Sequence, residues 1–394
     1  MVANLLSAHT LFYKKFTKKH LILFFVTAVT AMYVYHAAKI VLVLFYSALG
    51  FISLISKGVS KSQQKSILIL AGISVLCFAV TAGAALTRFS AIGLLNDDLP
   101  KALIFENTTK ATPYTPLYAI RAFYNKPVMY FTYFLKTYLA HFDLNFLFTI
   151  GGATRRFIVP YHGLFYLFDL LLIPLGIFAL IKNKTKLFIF WLLLLLISPI
   201  PAALTTEEIP SSIRTFTLLI PLTIASALGM DWLLSSMNKT MKIVFVTFFG
   251  CVLAWSVGYF VQQMFVMMPL QNTQYRSRSY EIVSEYIAQH HTEYESVQFA
   301  SDLREMYIYL WQKDLISIAE IQAQPSARYS NTYSMGKFYF TKEQCTFPEI
   351  KENSLLIAPY NCAKTLSGQY RELTTANFDD LTPGFVIVSN KTNE

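Results

Sequence analysis

The stretch LILFFVTAVTAMYVYHAAKIVLVLFYSALGFISLIS, residues 21–56, contains only two basic side chains, His36 and Lys39, and no acidic one. An α-helix rises about 1.5 Å per residue and the hydrocarbon core of a bilayer is about 30 Å thick, so the stretch is too long for one crossing. It predicts two membrane-spanning helices with a tight turn at His36 and Lys39, or a re-entrant or tilted first segment. The fold class that follows is a polytopic α-helical membrane protein.

The rest of the chain has the same character. Of its 394 residues, 54% are hydrophobic, 15% are aromatic and only 14% are charged, which excludes an ordinary soluble domain. Windows of about 18 or more apolar residues identify membrane-spanning helices. They predict seven spans, at 21–36, 38–56, 67–87, 162–182, 185–204, 214–235 and 241–262.

Lysines lie at alternate ends of these spans, and short cytoplasmic segments are enriched in Lys and Arg. Twelve lysines and no acidic residue occupy the segments on one side: Lys14, Lys15, Lys18, Lys19, Lys57, Lys61, Lys65, Lys182, Lys184, Lys186, Lys239 and Lys242. We therefore expect a multi-pass protein of the plasma (inner) membrane with a cytoplasmic amino terminus. The net charge of +10 reflects this topology, since residues 271–394 include 11 basic and 15 acidic side chains, and nucleic acid is excluded as a partner.

The predicted spans divide the chain into four regions. These are three spans in 1–87, an extracytoplasmic loop with interfacial helices in 88–161, four spans in 162–265, and a small extracytoplasmic α/β domain in 271–394. In the second region, Pro127 is expected to separate two helices rich in Tyr, Phe and Leu, a composition typical of the membrane interface. These helices form either a collar around the bundle or one wall of a lipid-substrate site.

The carboxyl-terminal region alternates helical patterns, SRSYEIVSEYIAQHH and LREMYIYLWQKD, with the strand-like runs SVQFA, SLLIAPY and GFVIVS. It has no phosphate-binding glycine loop, metal-ligand spacing or nucleophile elbow, so support or acceptor recognition is expected rather than chemistry. Cys345 and Cys362 lie 17 residues apart in this region. An oxidising compartment permits a disulfide between them, and the sequence leaves their pairing open.

Basic residues cluster where the chain re-enters the membrane on the outer side. In residues 198–222, SPIPAALTTEEIPSSIRTFTLLIPL, prolines end one helix and Arg214 begins the next. The guanidinium fork suits phosphate, but Arg214 could instead pair with Glu207 or Glu208, or reach lipid headgroups. The segment GGATRRFIVPYHG, residues 151–163, adds two glycines and two arginines as an anion cradle. The lipid-phosphate candidates are Arg88, Arg155, Arg156, Arg214 and His162.

Transfer to a hydroxyl requires a base, for which the candidate carboxylates are Asp98, Asp143, Glu207 and Glu208. Each could equally be a solvated loop acid. Asp169, near the end of a span, is explained by helix capping or an interhelical hydrogen bond. Walker, HExxH and CxxC motifs are absent, which argues against ATP hydrolysis, zinc proteolysis and thiol redox chemistry. No cofactor is predicted, and a divalent metal requirement stays open.

The segments RFSAIGLLNDD, YLAHFDLNFLFTIGGATRRFIVPYHGLFYLFDLLLIPLGIFALI and PIPAALTTEEIPSSIRTFTLLIPL together resemble bacterial family-39-type membrane glycosyltransferases. These belong to the C-type superfamily and are similar to protein mannosyltransferases and the lipid A aminoarabinose transferase. The resemblance, over about residues 67–265, implies transfer of a sugar from a polyprenyl-phosphate carrier to a lipid, glycan or protein acceptor. It implies that Arg88, Arg155, Arg156 and Arg214 bind the carrier phosphate.

The family's main catalytic carboxylate lies in the first outside loop, whereas here that loop is YHAAK, residues 35–39, without an acid. We therefore expect a carboxyl-terminal portion of such an enzyme, or a chain that shares only the scaffold. The competing hypotheses are a non-catalytic membrane scaffold or accessory subunit of the cell envelope, and an enzyme resembling O-antigen ligases or polymerases that uses His141, Arg155 and His162.

Overall fold

A computed structural model describes residues 18–56, 59–183, 185–271, 273–275, 278–300, 306–323, 332–341, 343, 345–347, 353–366 and 370–390. The chain divides into two compact units, Met1–Phe260 and Val261–Glu394. The first unit is helical, and the second carries a six-stranded sheet.

Apolar helices occupy every region of the first unit in which a span is predicted. Its main helices are α1 Lys18–Val34, α2 His36–Ile55, α3 Lys61–Ile92, α4 Leu99–Ala111, α5 Leu117–Phe123, α6 Lys126–Leu139, α7 Asp169–Asn183, α8 Thr185–Ile197, α9 Leu219–Ser235 and α10 Lys239–Gln262. Among the described residues, four helices are long and apolar enough to cross a membrane: His36–Ile55, Lys61–Gly83, Phe216–Ser235 and Lys239–Gln271. Leu21–Val34 and Leu187–Ala203 are apolar but shorter, so the count of seven spans stays a prediction.

A turn between the first two helices is confirmed, but it lies at Tyr35 and not at His36 and Lys39, which both belong to α2. Helix α1 ends at Val34, Tyr35 is extended, and α2 begins at His36. One helical turn later, the buried ammonium of Lys39 donates a hydrogen bond of 2.6 Å to the carbonyl of Thr81 in α3. A buried charge requires such a polar partner, so Lys39 joins α2 to α3 near this turn.

The helix predicted from residue 162 begins seven residues later, at Asp169. Gly163 explains the difference, because a Cβ atom there would lie 2.4 Å from the carbonyl oxygen of Leu147. Two hydrogen bonds then hold the chain in a non-helical path, from Phe165 N to Leu147 O at 2.8 Å and from Tyr166 N to the Asp169 carboxylate at 3.2 Å. A close backbone approach therefore delays the helix.

Helices α7 and α9 cross in backbone contact at two glycines. A Cβ atom on Gly176 would lie 1.7 Å from the carbonyl oxygen of Ala225, and one on Gly229 would lie 2.0 Å from that of Leu172. Small residues permit such contacts between membrane helices. The hydroxyl of Ser226 donates to the Asp169 carboxylate across the same pair, which confirms the interhelical hydrogen bond predicted for Asp169.

The region between α3 and α7 contains the two helices predicted on either side of Pro127. Helix α5 ends at Phe123, and α6 begins at Lys126 with Pro127 in its first turn. Asn125 caps α6 by accepting a hydrogen bond of 2.9 Å from Val128 N. Large aromatic side chains on or next to α4, α5 and α6 are at least 64% exposed: Phe105, Tyr114, Tyr118, Phe123 and Phe131. Their exposure is consistent with the predicted interfacial helices.

The second unit is an α/β domain with strands β1 Ser296–Ala300, β2 Thr332–Met335, β3 Phe338–Thr341, β4 Ser354–Pro359, β5 Arg371–Asn377 and β6 Pro383–Ser389. The strand order is β2-β3-β1-β4-β6-β5, with β1 parallel to β3 and β4 and the other pairs antiparallel. Helices α11 Arg278–His290, α12 Met306–Gln312, α13 Ile318–Gln322 and α14 Ala363–Leu366 accompany the sheet. The three predicted strands are confirmed as β1, β4 and β6, and the open cysteine question is answered by a Cys345–Cys362 disulfide.

Candidate functional site

The end of α3 pairs with the segment that precedes Arg214. Leu94 N donates to Leu204 O at 2.9 Å, and Thr206 N donates to Ile92 O at 3.2 Å. Arg88 lies one helical turn before Ile92 in α3, and its side chain lies outside the described part of the structure. The backbone thus brings the helix that carries Arg88 to the segment at 204–206.

The glycine-rich segment packs against the same loop at a later position, residues 210–212. Ala153 N donates to Pro210 O at 2.8 Å. A Cβ atom on Gly152 would lie 3.1 Å from the hydroxyl oxygen of Ser212, so a glycine permits the close approach of the two segments. We name residues 151–156 and 204–214 the arginine loops. They hold Arg155, Arg156 and Arg214 on two segments in direct contact.

His141 positions residues 204–214, the second of the two arginine loops, through a hydrogen bond to its backbone. Helix α6 is held to the short helix Ile200–Ala203 that follows α8, where Thr137 Oγ1 donates to Ala203 O at 3.1 Å. His141 follows α6 and is fully buried. Its Nε2 accepts from Ser211 N at 3.1 Å, and its Nδ1 lies 2.9 Å from Thr137 O. Because Nε2 accepts and Nδ1 donates, the ring is neutral in this arrangement.

The electrostatics of His141 agree with this hydrogen-bond pattern. Burial lowers the pKa of His141 to about 4, and the positive charge of Arg214 contributes in the same direction. A neutral imidazole of this kind positions the loop and does not exchange protons near pH 7. No local sequence pattern indicates this role, because the partners His141 and Ser211 are 70 residues apart.

Arg214 makes the ion pair with Glu207 that the sequence left as one alternative. Its Nη2 lies 3.1 Å from Glu207 Oε2, and its Nη1 donates to Thr205 Oγ1 at 3.0 Å and to the Glu207 carbonyl. The side chain is 14% exposed. These bonds leave Nε–H and one Nη2–H without a hydrogen bond to any described residue, and both can still bind an anion.

The other basic candidates differ in their surroundings. Arg155 and Arg156 are exposed, and the Arg156 guanidinium lies 6.0 Å from the centre of the Phe157 ring. His162 packs edge-on against Tyr166 and Phe260, with ring centres 5.1 Å and 4.9 Å away. Its Nδ1 lies 2.7 Å from Gly163 O, while its Nε2 is buried with no hydrogen-bond partner in the described residues. His162 therefore faces an aromatic cluster and makes no hydrogen bond to the arginine loops.

Three of the four candidate carboxylates have local partners. Asp98 accepts a bond of 2.8 Å from Lys101, which lowers the pKa of that carboxyl, and Asp143 accepts 2.6 Å from Asn145 N. Glu207 pairs with Arg214, and Glu208 is exposed. The structure thus brings one candidate acid to a candidate arginine. Within the described residues, no cluster of three or more His, Cys, Asp or Glu side chains could hold a metal ion.

In comparisons with known proteins, neither a family model nor a curated protein matches the chain. The function is therefore argued from the contacts of the arginine loops and from the apolar helices that carry them.

Proposed function

We propose that this membrane protein binds the phosphate of a polyprenyl-phosphate-linked sugar at the arginine loops. The sugar would pass from this carrier to a lipid, glycan or protein acceptor on the extracytoplasmic side. The observation that carries the proposal is the convergence of the end of α3 with the two arginine loops. Three chain segments that are distant in sequence, each with an arginine in it or one helical turn away, thereby meet through their backbones.

Phosphate chemistry explains why this convergence favours a carrier lipid. Arginine offers five fixed donors and forms paired, charge-assisted bonds to phosphate oxygens. Arg214 keeps donors available beyond its bonds to Glu207 and Thr205. In sugar transfer the carrier phosphate is the leaving group, and cations placed beside it stabilise the charge that develops as the glycosidic bond breaks. Apolar helices next to the loops provide a surface for the polyprenyl chain.

The base that activates the acceptor has no assigned residue. Asp98 and Asp143 are held by local hydrogen bonds, and Glu207 is engaged by Arg214. This engagement is the observation that favours a second candidate function, a membrane scaffold or accessory subunit that binds a carrier lipid without transferring its sugar. An enzyme resembling O-antigen ligases is less favoured, because His141 is buried and its ring nitrogens both contact the backbone.

Binding of a polyprenyl-phosphate-linked sugar to the purified full chain tests the proposal. We expect Arg214→Ala and Arg156→Ala each to weaken binding about tenfold or more, since each removes charge-assisted bonds. Arg214→Lys keeps the positive charge but lacks the paired N–H donors of the guanidinium group, so it should give an intermediate affinity. Arg121→Ala is the matched control, because Arg121 is an exposed arginine of α5 outside the arginine loops.

Unchanged affinity in both alanine variants would overturn the phosphate site. A transfer assay with the wild-type chain then separates the two candidate functions. Release of sugar to an acceptor supports the enzyme, whereas tight carrier binding without release over hours supports the scaffold.

A further inference from the structure

A groove lies at the end of α3 opposite the arginine loops, between the last turn of α2 and the first turns of α3. It is open, has a volume of about 530 Å³, and is lined by Leu54, Lys61, Gln64, Lys65, Leu68 and Ile69. Helix α3 has 32 residues. At about 1.5 Å per residue it is about 48 Å long, so the groove and the arginine loops are separate sites.

The polar part of the groove is cationic. Lys61 and Lys65 are one helical turn apart on α3 and exposed, and neither forms an ion pair with a described residue. Gln64 between them donates from Nε2 to the carbonyl of Ser53 at 2.8 Å, which fixes α3 to the end of α2. Two ammonium groups thus lie beside the contact between α2 and α3, and no acid among the described residues neutralises them.

The remaining lining is apolar. Leu54, Leu68 and Ile69 are 56%, 42% and 36% exposed. Leu68 also packs near Gly50, where a Cβ atom would lie 3.4 Å from its Cδ2. The groove therefore offers a cationic rim and an apolar wall on two helices that are long and apolar enough to cross a membrane. A ligand that matches both parts has an anionic head and a hydrocarbon tail.

We propose that this groove binds an anionic phospholipid. Lys61 and Lys65 contact the headgroup phosphate, and the first part of an acyl chain lies along Leu54, Leu68 and Ile69. Basic pockets between membrane helices on the cytoplasmic side have this recognition chemistry, and the lysine pattern predicts that side for the Lys61 end of α3. A free phosphate ion would use the lysines but not the apolar wall.

Native mass spectrometry of the detergent-purified full chain, incubated with equimolar phosphatidylglycerol and phosphatidylcholine, tests this site. We expect the wild type to retain phosphatidylglycerol preferentially and the Lys61→Gln/Lys65→Gln variant to retain it about tenfold less. The control is Lys239→Gln/Lys242→Gln, which removes two exposed lysines from the first turn of another membrane-length helix. It should behave as the wild type.

Further measurements test which part of the ligand the groove recognises and whether the lysine variant is folded. Leu68→Asn should weaken phosphatidylglycerol retention while leaving both lysines in place, and excess inorganic phosphate should not displace the lipid. Equal loss in the two lysine pairs would overturn the proposal, as would equal retention of phosphatidylcholine or displacement by phosphate. Binding of polyprenyl-phosphate-linked sugar by the Lys61→Gln/Lys65→Gln variant should be unchanged, which confirms its fold and keeps the two sites distinguishable.

Discussion

Helix α10 and strand β1 use apolar residues in opposite ways. All five residues of β1 are buried in the second unit. None of the residues of α10 is buried, although α10 is apolar enough to cross a membrane. An apolar surface without protein cover is what a membrane-spanning helix presents to lipid. Apolar packing therefore stabilises the second unit, whereas the helical unit combines buried apolar clusters with exposed apolar helix surface and with specific contacts between helices.

Those specific contacts are backbone approaches and buried polar bonds. Gly176 and Gly229 bring α7 and α9 together, Lys39 joins α2 to α3, and the Asp169 carboxylate accepts from Ser226. Lipid is as apolar as leucine, so apolar side chains alone give membrane helices little reason to associate. Close packing and polar bonds therefore decide which helices of the first unit meet.

The largest expected effect comes from breaking the glycine contact. Gly176→Ala places a Cβ atom 1.7 Å from a backbone carbonyl oxygen, so α7 and α9 must separate. We expect loss of the folded helical unit, measured as the yield of monodisperse protein in detergent. Gly250→Ala in α10 is the control, since no atom lies within 4 Å of its added Cβ, and it should keep the wild-type yield. Equal yields from the two variants would contradict the close contact.

Truncation of a buried aromatic side chain in the sheet tests whether apolar packing stabilises the second unit. Phe299 in β1 is fully buried and stacks on Phe340 with ring centres 4.7 Å apart. Phe299→Ala should destabilise the second unit by about 3–5 kcal/mol, the usual cost of truncating a buried aromatic side chain. Hydrogen exchange of β1, β3 and β4 in the full chain measures this loss. Ile318→Ala, at an exposed position of α13, is the control, and similar exchange in both variants would contradict apolar packing as the main stabilising contribution.

Much of the fold could be predicted because it depends on local patterns. Apolar runs located the long helices, Pro127 located a break, and short runs rich in β-forming residues located three strands. Strands β2 and β3 were missed, although Gly336 with φ of +56° marks their hairpin. Edge strand β5 was missed because it is largely exposed and polar. The late start of α7 depends on Gly163 meeting Leu147, a tertiary contact that no local pattern contains.

For the candidate site, the residue types could be predicted but their partners could not. The positions of Arg155, Arg156 and Arg214 at span ends predicted one site, and the structure brings the segments that carry them into contact. The choice of Glu207 rather than Glu208 as the partner of Arg214 depends on the loop's path, in which Glu208 has a φ of +53°. The contact of His141 with Ser211 needs the whole helical unit to be assembled.

The smallest expected effect comes from one buried polar contact of the helical unit, the hydrogen bond from Ser211 N to His141. The folded-state pKa of His141 is about 4, below its ordinary value of 6.5. The unfolded chain therefore takes up a proton near pH 6.5, while the folded chain resists it, so the contribution of His141 is fully present above pH 6.5 and is lost as the pH falls towards 4. Between pH 7.5 and pH 5.5 the helical unit should lose about 1 kcal/mol.

Thermal unfolding of the full chain at these two pH values measures the loss, and His141→Gln isolates its source. A glutamine side chain can accept from Ser211 N but does not titrate, so this variant should lose less stability on acidification than the wild type. His290→Gln, at a half-buried histidine in the second unit, should retain the wild-type pH dependence of the helical unit. If His141→Gln and the wild type lose the same stability, the bond to Ser211 does not depend on a neutral ring, and His141 does not hold the arginine loop in the way the geometry indicates.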